Sequence, residues 1–192
     1  MSEQTTKTIW HKATEEIFTT GEPLNDRVIA IIGHAFLDTL LERLMCKFLV
    51  DAKEAEELLG TESWGPLQSF SQRTKAAYCL GLISGDEYDD LKKINWIRNK
   101  LAHRLDYSFD DKTIAEKCYK LKLPRRAEWL LTLSDDRNLT RSHFRTATLI
   151  LGFLLTARIP QAEHQRRKVP DELPLQPILD DRAKRAFDHW II

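Results

Sequence analysis

Glycine and proline are scarce: 192 residues hold seven of each, clustered at a few points, a composition that favours long helices. Cysteine is scarcer still. Cys46, Cys79 and Cys118 form no C-x-x-C pair, their number is odd, and each lies among apolar neighbours. They are therefore expected to be reduced thiols in the core, and no metal-ligating or disulfide framework is expected. Charge of one sign is missing too. Lys plus Arg and Asp plus Glu stand at 29 each, so no global positive field would draw the chain to nucleic acid, and any such binding must come from a local patch. No apolar run approaches the ~20 residues of a membrane span; Ala147–Ala157 comes nearest. Met1–Lys7 is polar, without a signal-peptide apolar region, and the expected location is the cytoplasm. Alternating apolar and polar residues are absent as well, which leaves no strand.

Helical periodicity is abundant. A first helix is predicted over Thr8–Phe18, ended by Thr19-Thr20-Gly21-Glu22-Pro23. Asn25 or Asp26 then caps a long helix to about Val50, with Val28, Ile31, Ile32, Ala35, Phe36, Leu40, Leu44, Phe48 and Leu49 as a wide apolar stripe. Asp51–Leu59 reads as a short acidic helix stopped by Gly60. Pro66 is placed to open a helix over Leu67–Ile83 that buries Phe70, Ala77, Cys79 and Leu80. Ser84 and Glu87 form a capping box for a helix over Asp86–His103, with Tyr88, Leu91, Ile94, Ile97 or Trp96, and Leu101 inward. A helix over Asp110–Leu121 follows. Thr140 caps a last long helix, Arg141–Arg158, with Phe144, Ala147, Ile150, Leu151 and Leu154 inward and Pro160 bending or ending it.

The expected architecture is one all-α helical bundle of six or seven helices over residues 1–165. Residues 166–192 form a Pro-rich extension, where Pro170, Pro174 and Pro177 suit an extended segment. It closes in a short amphipathic helix, Arg182–Ile192, whose Phe187 and Trp190 are candidate partner-binding residues if that helix does not dock on its own bundle.

The most informative stretch is Ile97-Arg98-Asn99-Lys100-Leu101-Ala102-His103, which places a permanent cation, an amide and a titratable imidazole within six residues. Arg and His separated by four to six residues recur five times in this chain, so spacing alone selects nothing. Context favours Arg98–His103, because it closes a well-defined amphipathic helix. Asn95, Asn99 and His103 share one face, while Arg98 is offset from His103 by about 140°, at roughly 100° per residue. The competing reading is an ordinary helix C-terminus bearing cations, which the helix dipole favours by ~0.3–1 kcal/mol each.

The run Gly65-Pro66-Leu67…Phe70-Ser71…Arg73…Tyr78…Leu80-Gly81-Leu82-Ile83-Ser84…Glu87-Tyr88…Ile97-Arg98-Asn99…Leu101-Ala102-His103 resembles the mannitol-repressor-like family over about Asp26–Leu121, and its end resembles the Arg-polar-x-x-x-His signature of the HEPN superfamily. The resemblance implies a HEPN-like bundle that often dimerises through its motif-bearing helices. It also implies either of two functions. One is a metal-independent RNA endonuclease of stress response, toxin–antitoxin or phage-defence type. The other is a non-catalytic transcriptional regulator working through protein contacts. In the first, His103 from two chains supplies a base for the 2′-hydroxyl and an acid for the departing 5′-oxygen, Arg98 steadies charge on phosphorus, and Asn99 orients His103 or the phosphate. Expected partners are a second copy of the chain, RNA, and a protein partner or antitoxin, with no cofactor. Arg137, Arg141 and Arg145 recur every four residues as a candidate basic ridge for nucleic acid, which Arg125-Arg126 and Arg166-Arg167-Lys168 could extend, although a solvated face is the commoner origin of such spacing. His34 reads as a satisfied interior histidine. No helix-turn-helix, zinc-finger spacing, basic zipper, phosphate loop or nucleophile elbow is present.

Overall fold

The computed structural model describes residues 25–60, 64–103, 106–129 and 138–171. Among them the chain is all-helical, with seven helices and no strand: α1 (Asp26–Phe48), α2 (Lys53–Leu59), α3 (Phe70–Cys79), α4 (Gly85–His103), α5 (Lys112–Tyr119), α6 (Leu123–Arg126) and α7 (Leu139–His164). The expected N-terminal helix Thr8–Phe18, the Pro-rich extension beyond residue 171 and the helix Arg182–Ile192 lie outside the described residues.

Two long helices make the frame. Asn25 caps α1 by accepting from the Arg27 amide at 2.9 Å. Ile29, Leu37, Leu40, Leu41, Leu44 and Met45 recur at helical spacing below it and are fully buried. Against that stripe α7 lays Phe144, Ala147, Leu151 and Leu155, likewise fully buried. The two helices approach closely at Gly33, where a Cβ would stand 3.2 Å from Thr148 Cγ2 and 3.3 Å from the Phe144 ring. On the other side of α1, α4 contributes Leu91, Ile94, Ile97 and Leu101 to the same core, and α3 packs across both. The inward stripe of α1 is narrower than its apolar content suggested. Val28 and Ile31 are more than a third exposed, because they lie on the far side of the helix, roughly 130–170° from the mean direction of Ile29, Leu37 and Leu41.

Several boundaries move for identifiable reasons. The helix expected over Leu67–Ile83 is shorter at both ends. Pro66 lies in a turn, and α3 begins after Ser69, whose hydroxyl and backbone exchange hydrogen bonds with Gln72 in a capping box. It stops before Gly81, which adopts φ +72°. Cys79 and Leu80 therefore sit on the exposed end of a terminating helix rather than in the core. Cys46 is exposed as well, on the outer side of α1. Only Cys118 is a core thiol, and burial pushes it up to about 12. At α7 the cap is Asn138, accepting from the Arg141 amide at 3.0 Å, while Thr140 is buried one residue inside the helix. Pro160 does not end α7. The last turn runs on to His164, held by buried Ala162 and a 2.6 Å contact between Lys47 and Glu163. The expected stops and boxes at Gly60 (φ +70°) and Ser84–Glu87 are present.

Buried carboxylates lock the joints. Asp90, fully buried on α4, accepts from the amides of Lys122 and Leu123 and so caps α6, which has no side-chain cap of its own. Glu87, also on α4, receives two hydrogen bonds from Arg158 of α7, at 2.9 and 2.8 Å. Burial pushes the Glu87 carboxyl upward, but the Arg158 guanidinium and the Ser84 hydroxyl and amide outweigh it and hold the carboxyl below its usual value.

Candidate functional site

The three residues singled out at the end of α4 occupy different environments. Arg98 is half-buried; its Nη1 donates to Asn99 Oδ1 of the neighbouring residue at 2.9 Å, and its Nε is buried with no hydrogen-bond partner among the described residues. Asn99 is half-buried, and His103 is exposed in the last turn. Among the described residues no hydrogen bond links His103 to Arg98 or Asn99. The helix end itself is closed from outside, since Arg27 of α1 donates from Nε to the Leu101 carbonyl at 2.9 Å.

Asn95, expected on the face of Asn99 and His103, is drawn elsewhere. Its Oδ1 lies 3.0 Å from His34 Nε2, and its Nδ2 donates to Ser71 Oγ at 2.9 Å. An amide oxygen can only accept, so His34 carries its proton on Nε2. His34 is buried against the Phe70 ring, 4.1 Å between centroids, and is the satisfied interior histidine the sequence suggested. Burial lowers its pKa below 6.5, the Asn95 bond works against that, Arg98 lowers it further, and Asp38 opposes. The sequence held both ends of this relay, but nothing in residue spacing joins positions 34, 71 and 95.

The relay ends in a cleft between α3 and α4 of about 190 Å³, lined by Phe70, Ser71, Thr74, Lys75, Tyr88, Lys92 and Asn95. Tyr88 stacks on Tyr78 at 4.6 Å on one side, and Lys92 Nζ stands 4.9 Å from its ring centroid.

The candidate basic ridge divides. Arg137 lies outside the described residues. Arg145 is half-buried on α7 with its Nε shielded from solvent. Arg141 turns inward onto Asp26, 2.8 Å from Nε and 2.6 Å from Nη2, so its charge is met inside the fold. The other basic pairs are likewise engaged. Arg125 donates to the Tyr119 carbonyl at the end of α5, and Arg126 pairs with Asp86. Arg166 donates to the Lys47 carbonyl and the Arg167 amide to the Phe48 carbonyl, both at the end of α1. Arg73, buried, donates to the Leu59 carbonyl at the end of α2 while pairing with Asp38 and Glu42. Four helices thus have a last-turn carbonyl answered by an arginine side chain from elsewhere in the chain, which uses the C-terminal dipole and leaves less free positive charge for phosphates. Phe187 and Trp190 lie outside the described residues. Among the described residues no cluster of His, Cys, Asp and Glu could hold a metal ion, and no helix is long and apolar enough to cross a membrane.

Residues 22–151 match the family model described as mannitol repressor. Among solved structures, the chain resembles that of the MtlR–HPr complex from Escherichia coli at 21% identity and TM-score 0.52, over 81% of this chain and 99% of the other. It also resembles a possible transcriptional regulator, YggD, from Shigella flexneri, at 16% identity and TM-score 0.56, over 81% of this chain and 98% of the other. At these identities the two structures establish a shared helical fold. No curated protein matches the chain in sequence.

Proposed function

The chain belongs to the mannitol repressor family, and from that premise we propose that it is a regulator of transcription acting through contact with another protein, without catalysis and without reading DNA itself. The observation that carries this reading is the extent of the family match, which spans α1 through the first half of α7. Three features agree with it. The structurally similar Escherichia coli protein was solved in complex with HPr. Arginines that could have served phosphate recognition close helix ends or meet buried carboxylates. Val28, Ile31 and Ala35 lie exposed along one side of α1, where a small apolar surface suits a protein partner.

HPr is the partner to test. Titration of the full chain with HPr, followed by calorimetry, is expected to give saturable binding, and Val28→Asp with Ile31→Asp is expected to weaken it. No heat and no complex with both proteins at about 100 µM would overturn the assignment of partner. Specific retention of a bare DNA duplex would overturn the claim that the chain does not read DNA itself.

A second reading rests on one observation, the exposure of His103 beside half-buried Arg98 and Asn99. In it the chain forms a homodimer that cuts RNA without metal, with Arg98, Asn99 and His103 in the roles given above. Incubation with RNA in EDTA decides it: cleavage that His103→Ala abolishes supports the enzyme, and intact RNA removes it.

A further inference from the structure

Among the described residues, every polar side chain that lines the α3–α4 cleft carries a donor group. His34 donates from Nε2 to Asn95 Oδ1, so the Asn95 Nδ2 must point the other way, and it donates to Ser71 Oγ. With its oxygen already accepting, the Ser71 hydroxyl is left to donate outward. Thr74 also lines the cleft, but it is 1% exposed and its Oγ1 is shut off from solvent, so it belongs to the floor and not to the groups that can touch a ligand. Lys75 and Lys92 are exposed and, among the described residues, are the only charged side chains of the lining. Phe70 and Ser71 stand in the first turn of α3, where backbone amides carry the positive end of the helix dipole. Among the described residues no carboxylate lines the cleft to compete.

We propose that this cleft binds a small phosphomonoester, its phosphoryl group held by Ser71, Lys75 and Lys92 and its organic part against Phe70 and Tyr88. The volume, about 190 Å³, is below the ~300–1,000 Å³ usual for sites that enclose a drug-sized ligand, so it suits one phosphoryl group with a small body rather than a nucleotide. Both lysines face one short cleft instead of tracking an extended groove, which favours a free small molecule over a phosphorylated peptide. The inference stands apart from the regulatory reading, since it uses neither HPr nor the apolar side of α1.

The test is an amide NMR titration of the full chain with phenyl phosphate, inorganic phosphate and phenol. Phenyl phosphate is expected to shift the amides of Ser71, Thr74, Lys75, Lys92 and Asn95 with a Kd of about 1 mM or tighter, inorganic phosphate to move the same amides more weakly, and phenol not to move them. Lys75→Ala with Lys92→Ala, both surface positions that should leave the melting temperature unchanged, is expected to weaken phenyl phosphate at least about ten-fold, whereas Lys112→Ala is not. Ser71→Ala should weaken it several-fold. Amides unmoved by either phosphate, equal binding by the double-lysine variant, or phenol binding as well as phenyl phosphate would each overturn the proposal. A phosphoserine hexapeptide binding more than about ten-fold tighter than phenyl phosphate would overturn the small-molecule assignment in favour of a protein ligand.

Discussion

His34 Nε2 donates to Asn95 Oδ1 at 3.0 Å, joining a buried imidazole of α1 to the polar side of α4. Protonating His34 would place a charge in the space between Phe70, Asn95 and the nearby Arg98 guanidinium, with Asp38 the opposing charge. The neutral ring is therefore part of the folded state.

A stability profile against pH follows. Burial, helped by Arg98, lowers the His34 pKa below 6.5 in spite of Asn95 and Asp38, so the unfolded chain takes up this proton first. The contribution is fully present above pH 6.5 and is lost as pH falls through the lower folded value. Urea midpoints are expected to decline between about pH 7 and pH 5 in the native chain, and His34→Gln should flatten that decline. Carboxylates held low, Glu87 among them, act only below about 4.5, a separate window. A slope unchanged in His34→Gln would assign the decline elsewhere.

Glu87 and Arg158 tie α4 to α7. The carboxylate is 1% exposed and its partner 31%, so removing the carboxylate strands a guanidinium that water only partly reaches. Glu87→Ala is expected to cost roughly 2–4 kcal/mol, toward the lower end because Arg158 keeps some solvent. Arg158→Ala should cost at least as much, since it leaves the fully buried carboxylate without a countercharge and with Ser84 alone to hold it. Denaturant unfolding of both single variants and the double variant would give the coupling. A coupling near zero would mean that the pair is only a surface contact.

Gly65 has a steric reason to be glycine. A Cβ there would collide with the Glu57 carbonyl and stand 2.5 Å from the Gly60 nitrogen and 2.7 Å from the Leu58 carbonyl, all backbone atoms at the end of α2. The Leu67 amide also returns to the Leu58 carbonyl at 2.9 Å, fixing the loop in that position. Gly65→Ala is expected to destabilise by about 1–3 kcal/mol. Gly85→Ala, where a Cβ meets nothing within 4 Å, is the control and should be neutral or stabilising. Thermal melts of the two would separate them.

The bundle was legible because its signals are local. Asn25, Gly60 and the Ser84–Glu87 box act within a few residues, and a core of leucine and isoleucine at three- and four-residue steps needs no knowledge of the neighbour. Errors came where a distant group decides. Pro160 stays inside α7 because the turn after it is tied down from far away in sequence, by burial of Ala162, the Lys47–Glu163 pair and the return of the Arg167 amide to the Phe48 carbonyl. Cys46 and Cys79 have apolar neighbours in sequence but are exposed, Cys46 by its rotation about the axis of α1 and Cys79 because α3 ends there, neither of which composition carries. At the site, the family-like residues of α4 were visible in sequence, yet the direction in which Asn95 points was not. It depends on His34 and Ser71 from two other helices. The arginines were the least legible, since a cation every four residues looks the same whether it faces water or closes another helix.

Arg141 tests that last distinction directly. Asp26 is 8% exposed, and its two oxygens serve the Phe109 amide, at 2.7 Å, and the Arg141 guanidinium. Truncating Arg141 leaves a buried carboxylate with only the amide, so Arg141→Ala is expected to destabilise by about 1–3 kcal/mol. Arg141→Lys should recover only part of this, because one ammonium cannot reproduce the contacts from Nε and Nη2. If Arg141 instead served a phosphate-tracking ridge, Arg141→Ala would leave the unfolding midpoint unchanged while reducing RNA affinity and its salt dependence. Urea unfolding beside an RNA-binding titration at two ionic strengths separates the roles, and a loss of stability with no change in RNA retention is the expected result.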